Sequence, residues 1–182
     1  MKILGLYDER NVETEGAVSA LGLWARQRGY ESRFIEAASL SIKPCLGCFG
    51  CWVRTPGVCV IADEGRAFAE ALMPADLFVL MTSIPFGSFA PSIKRALDRS
   101  IPILLPFFKI HGGEMHHVQR SRKPRRLLHV PYGTYGTDEL ATFTGLARAH
   151  CDNFLSPHAK SQFEYAAGPE ALVAWVAGEV EA

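Results

Sequence analysis

Apolar runs and amphipathic stretches alternate along most of the chain. Lys2–Tyr7 is apolar from Ile3 onward and predicts a short buried strand. From Glu15 to Arg28, Ala17, Leu21, Leu23 and Trp24 recur at helical spacing, with Thr14 as the expected N-cap and Gly29 at the C-terminal stop. Glu31–Ala37 alternates and predicts a second strand, whereas Leu40–Cys59 has no period and is rich in Gly, Pro and Cys. Glu64–Met73 has a helical pattern. Asp76–Ser83 contains the continuous run Leu77–Met81, the pattern of a strand covered on both faces. Pro91 suits a first helical turn, and Ile93, Ala96 and Leu97 carry that helix towards Pro102. Arg125–Val130 and Gln162–Tyr165 predict two more strands, and Asp138–Asn153 and Pro169–Val180 two more helices. Lys109–Arg126 reads as a long polar connection, of a length that is uncommon in compact domains.

Strands alternating with helices predict βαβ units. The expectation is an α/β, flavodoxin-like three-layer sandwich: a five-stranded parallel sheet in the order 2-1-3-4-5, within one domain over residues 1–182. Ligands of such sheets lie beyond the carboxyl ends of the strands, which directs attention to the loops after Tyr7, Ser83 and Val130. Composition agrees with a packed domain, since 48% of residues are hydrophobic and 21% charged. Nineteen basic residues balance nineteen acidic ones, which argues against a nucleic-acid partner. No apolar run approaches the length of a membrane span, and Asp8, Glu9 and Arg10 interrupt the N-terminal run too early for a signal peptide. A cytoplasmic location is expected, and with it reduced cysteines.

Four of the five cysteines fall between 45 and 59, in the loop at 43–60. Cys45, Cys48, Cys51 and Cys59 have the spacing C-x2-C-x2-C-x7-C, with Gly47 and Gly50 between them. Three cysteines two residues apart resemble the start of a ferredoxin run, and Cys59 supplies a fourth thiolate for a [4Fe–4S] cluster. Zinc is the competing metal, although its structural sites usually bring two separate Cys pairs. Free thiols in a Gly-rich packing loop are the third reading. Cys151 stands alone on an expected helix and reads as a core thiol.

The loop after the third strand carries Ser83, Ile84, Pro85, Phe86, Gly87 and Ser88, followed by Ile93-Lys94 and Asp98-Arg99. With Cys59-Val60-Ile61-Ala62-Asp63-Glu64 behind the cysteine run, roughly residues 1–140 resemble the NADPH-dependent FMN reductase family and its iron–sulfur flavoprotein branch. The resemblance implies FMN at the strand ends. Backbone N–H groups around Ile84–Ser88 would meet the pyrimidine edge, with Gly87 allowing approach to the ring. Gly133, Tyr135 and Gly136 would close the other side, with Tyr132 or Tyr135 stacking. It further implies NAD(P)H or ferredoxin as electron donor, a small redox acceptor, one-electron delivery through the cluster, and a homodimer or homotetramer. No catalytic residue follows from it.

The first loop departs from the family pattern. Where small hydroxyl and amide residues hold the flavin phosphate, this chain has Asp8, Glu9, Arg10, Asn11, Val12, Glu13, Thr14 and Glu15. Arg10, Asn11 and Thr14 remain candidate phosphate ligands, but the four acids oppose a phosphate nearby. Ser83 and Pro85 stand where the family has Pro and Tyr. The alternative function is therefore a non-catalytic flavodoxin-like module without FMN, its cysteine loop binding metal or making a subunit contact. His111, Glu114, His116 and His117 match no standard metal spacing and read as surface or subunit-contact groups. Arg120, Arg122, Lys123, Arg125 and Arg126 read as a solvated basic face or as an attractor for NADPH phosphate or a redox partner.

Overall fold

A computed structural model describes residues 1–121, 123–156 and 168–181 of the chain. Strands β1 (Lys2–Tyr7), β2 (Glu31–Glu36) and β3 (Leu77–Thr82) come first, interleaved with helices α1 (Val12–Gln27), α2 (Gly50–Val53) and α3 (Glu64–Leu72). Helix α4 (Pro91–Asp98) precedes β4 (Leu104–His111) and β5 (Glu114–Gln119). Then follow β6 (Arg126–Pro131), α5 (Thr137–Asn153) and α6 (Gly168–Glu181).

Among the described residues, four strands form one parallel sheet in the order β2-β1-β3-β6. This corrects the expected five-stranded order 2-1-3-4-5. The expected fifth strand, at 162–165, lies outside the described residues. Period-two alternation explains why the sheet is covered on both faces. Leu4, Leu6, Phe78, Leu80 and Leu127 point to one side and join Phe68 and Leu72 of α3, Ile93 and Ala96 of α4, and Phe143 and Ala147 of α5. Ile3, Tyr7, Leu77, Val79, Met81, Leu128 and Val130 point to the other and meet Leu21 and Trp24 of α1 and Leu172 and Val176 of α6. Gly5 keeps space on that face, since a Cβ there would lie 2.3 Å from the Phe34 ring.

Helix α1 begins earlier than its periodicity predicts. Asn11, not Thr14, is the N-cap: its Oδ1 accepts from Thr14 N at 3.0 Å, and Thr14 Oγ1 accepts from Asn11 N at 3.0 Å. The expected polar connection at 109–126 is largely an antiparallel hairpin of β4 and β5. Gly112 and Gly113 turn it with φ of 60° and 87°, as a two-residue hairpin turn with two left-handed residues requires. Among the described residues, no helix is long and apolar enough to cross a membrane.

Candidate functional site

Two sets of residues with chemical potential lie at opposite ends of α4. The first is at the carboxyl edge of the sheet. Asp8 follows β1 directly and is 3% exposed. Its Oδ2 accepts from Ser83 N at 2.8 Å and Ser83 Oγ at 2.7 Å, while Oδ1 accepts from Glu9 N at 2.9 Å and from the Tyr132 hydroxyl. One carboxylate thus joins the ends of β1, β3 and β6. Burial pushes the Tyr132 phenol pKa upward, and its hydrogen bond to the Asp8 carboxylate adds to the shift. Asn11 Nδ2 completes the network by donating to the Tyr132 oxygen at 3.2 Å.

This network leaves few donors for a phosphate. Ser83 and Tyr132 donate to Asp8, Asn11 caps α1, and the buried Thr14 hydroxyl donates to Glu9 O at 2.8 Å. Arg10 is exposed, with its Nε 3.8 Å from carboxylate oxygens of both Glu15 and Glu36. The first loop, as folded, offers a phosphate dianion few free side-chain donors.

The next loop is similarly self-contained. Phe86 N donates to Glu139 Oε1 at 2.8 Å, Gly87 N to Ile84 O at 3.0 Å and Ser88 N to Pro85 O at 3.1 Å. Pro85 has no N–H, and Ile84 is buried. Gly87, with φ of 72°, permits close approach to α5: a Cβ would lie 2.6 Å from Thr142 and 2.9 Å from Glu139 O. The expected role of that glycine was approach to a flavin ring. The observed close neighbour is a helix. Beyond β6, Gly133 has a φ of 83° and open space at its Cβ position, and Gly136 N donates to Glu139 Oε2 at 2.9 Å. Tyr135 packs at the margin of the core, and Tyr132 is buried. The Phe86 ring is 93% exposed on a backbone with φ of 55°, so the edge retains an aromatic surface even though its donors are engaged.

The second set is the cysteine loop. Cys45, Cys48, Cys51 and Cys59 line one cavity of about 290 Å³ with Leu46, Phe49, Trp52, Val60, Asp98 and Ile101. Left-handed backbone at Gly47 and Phe49 wraps the loop around it. Gly50 has no room for a side chain, since a Cβ would lie 2.5 Å from Val60 Cγ1. Burial raises the Cys51 thiol pKa, and the nearby sulfurs of Cys59, Cys45 and Cys48 raise it further. Among the described residues, no group of three or more His, Cys, Asp or Glu side chains is arranged to hold a metal ion. The four thiols nonetheless line one cavity, and four cysteine sulfurs are the donor type that an iron–sulfur cluster takes.

Arg99, at the end of α4, ties this loop down. It is 1% exposed, and its two terminal nitrogens each donate to Asp63 at 2.8 Å. Burial opposes the Arg99 charge, but Asp63 and Cys59 outweigh it and raise the pKa. The Arg99 hydrogen bond holds the Asp63 pKa down to about 2. Sequence reasoning had Asp63 and Arg99 only as motif letters and did not place Asp8 as a hub.

The remaining sequence candidates do not converge. His116 sits between Glu114 and Asn153, at 3.3 Å from each, and His117 is wedged between the rings of Trp52 and Phe108. Arg120, Arg125 and Arg126 donate to backbone carbonyls of Pro102, Ala75 and Glu179 respectively. They brace the fold rather than forming one free basic face. Arg122 lies outside the described residues.

Together these features define an α/β protein of flavodoxin-like architecture with a cysteine-lined cavity at the opposite end of α4 from the carboxyl edge of its sheet. Residues 1–118 match the family model described as NADPH-dependent FMN reductase, and the chain belongs to that family. It is 29% identical over 110 residues to an iron–sulfur flavoprotein of Methanocaldococcus jannaschii, covering 59% of this chain and 55% of that one. To an iron–sulfur flavoprotein of Methanosarcina thermophila it is 26% identical over 103 residues, covering 56% and 53%. The chain thus spans about half the length of these curated relatives. An FMN-dependent NADH-azoreductase of Bacillus anthracis, solved with FMN, superposes with a TM-score of 0.59 at 11% identity, over 100% of this chain and 96% of that one. That likeness concerns the fold.

Proposed function

We propose that this chain is an FMN-dependent oxidoreductase that moves electrons through a [4Fe–4S] cluster held by Cys45, Cys48, Cys51 and Cys59. NAD(P)H or reduced ferredoxin would be the donor and a small redox molecule or protein the acceptor. The observation that carries this reading is the convergence of four thiols from one short loop on a single cavity. Family membership supports the flavin. Helix α4 links the two regions: Ser92 Oγ, in its first turn, lies 3.5 Å from Asp8 O, and Asp98 at its end lines the cysteine cavity. Eight residues of helix span about 12 Å. When bound, the cluster would supply one-electron chemistry, and the chain's part is to hold it and limit its exposure to water.

A homodimer or homotetramer belongs to the same proposal. Phe49, Phe107, Phe108, Ile110 and Met115 are exposed on the cysteine loop and the hairpin, where a subunit contact would cover them.

A second reading is favoured by Asp8. With its carboxylate engaging the strand-end donors, the chain could keep the fold and the cluster while dispensing with FMN. Anaerobic purification with iron, sulfide and flavin analysis, plus an absorbance spectrum, separates these outcomes. Flavin bands with broad iron–thiolate absorption are expected from the first reading. Iron and sulfide without flavin, even after incubation with FMN, would support the second. A colourless protein after reconstitution with iron, sulfide and FMN would refute both.

A further inference from the structure

We propose that Arg99 is the positioning residue for Cys59: its guanidinium fixes that sulfur at the cavity wall and, with a cluster bound, raises the cluster's reduction potential. This rests on the cysteine cavity being the cluster site. Arg99 Nη2 lies 3.3 Å from Cys59 Sγ. The same guanidinium donates through Nη1 to Lys43 O at 2.6 Å and through Nη2 to Ile61 O at 3.3 Å. It therefore grips the cysteine loop on both sides of the four thiols, while Asp63 fixes its plane. Arg66 reinforces the exit of the loop by donating to Cys59 O at 2.7 Å and Val60 O at 3.1 Å.

The arrangement is more than a structural clasp. The Asp63 pair alone would neutralise the buried charge, yet the fork is set so that Nη2 also reaches a sulfur. Gly65 makes room for this, since a Cβ there would lie 3.0 Å from Arg99 Cζ. Arg99 Nε is left buried without a partner among the described residues, a cost accepted to keep the fork in this plane. Of the other sulfurs, Cys45 Sγ receives only a neutral backbone donor, Gly47 N at 3.5 Å. Among the described residues, Cys59 is the one of the four that faces a buried cation. Hydrogen bonds and charge at ligand sulfurs set cluster potentials. Reduction adds negative charge to the cluster and its sulfurs, so a cationic donor there stabilises the reduced form. Lysine does not reproduce this, because a single ammonium lacks the planar fork that reaches carboxylate and sulfur together.

The test measures the cluster's midpoint potential by anaerobic spectroelectrochemistry in full-length protein, beside iron content and Tm. Three variants are compared with the parent: Arg99→Lys, Asp63→Asn, and Arg99→Gln combined with Asp63→Asn, which leaves no buried carboxylate unpaired. The potential is expected to fall in Arg99→Lys, to fall further in the double variant, and to rise in Asp63→Asn, where Arg99 keeps its charge and loses its counterion. Cluster-loaded variants that all hold the parent's potential, with only Tm or iron content altered, would overturn the proposal. If neither Arg99 variant retains iron, Asp63→Asn decides: a raised potential supports the role and an unmoved one overturns it. A parent protein that takes up no cluster removes the functional reading itself, and that is seen before any variant is made.

Discussion

At the scale of single residues, Asp8 has the widest reach. Four hydrogen bonds join its carboxylate to three strand ends, where a bound phosphate would otherwise collect donors. Replacing it with serine is expected to release Ser83 and Tyr132 and to remove a like charge from the phosphate's surroundings. FMN affinity should increase about tenfold or more, the equivalent of roughly 1.4 kcal/mol. Flavin fluorescence quenching reads this, and an unchanged affinity in Asp8→Ser would show that the carboxylate is not the obstacle. Glu9→Ser is the control, because Glu9 is exposed and engages this network only through its backbone N–H and carbonyl. The acidity of the first loop was legible in the sequence. Which acid turns inward was not, because that depends on Ser83 and Tyr132, which are distant in sequence and arrive only when the strands pair.

At the scale of elements, the sheet strands and long helices were legible, and the 109–126 segment was not. Its polar residues suggested an irregular connection, although Gly112-Gly113 is itself a hairpin signal. Strand alternation failed to show because the hairpin is largely solvated, with Phe107, Phe108 and Ile110 all exposed. A two-stranded hairpin is marginal alone and needs support. Trp52 provides some of it by donating Nε1 to Leu104 O at 3.1 Å and by packing its ring on His117. Trp52→Ala is therefore expected to loosen the hairpin, seen as faster amide exchange across β4 and β5 with little change in β1 and β3. Uniform exchange across both sheets would contradict this. The loop at 84–88 is held just as specifically. Gly87→Ala is expected to destabilise the fold by roughly 1–3 kcal/mol, because its Cβ meets α5 and its φ is left-handed. A denaturant midpoint equal to the parent's would refute that contact.

At the scale of the whole molecule, a histidine pair, His129 fully buried and His150 half-buried, couples the core to pH. His129 Nε2 and His150 Nδ1 are 3.0 Å apart, between the sheet and α5. Burial, with His150 alongside, lowers the His129 pKa well below its usual value; burial, with Lys94 nearby, lowers that of His150 to about 4. Depressed histidine values mean that the unfolded chain binds protons first. Stability is thus fully present above about pH 6.5 and falls as pH drops towards 4, by about 3 kcal/mol from His150 alone. Chemical denaturation from pH 7.5 to 4.5 should show this slope before Asp63 begins to titrate, and a flat profile would contradict it. The sequence by itself determined the layered α/β class, the parallel sheet and the clustering of four cysteines, because periodicity and spacing are local properties of the chain. Tertiary structure decided which donors remain free at the strand ends, which cation meets Cys59, and that two histidines share the core. Those outcomes depend on contacts between residues up to 124 positions apart, as between Asp8 and Tyr132, and only packing creates them.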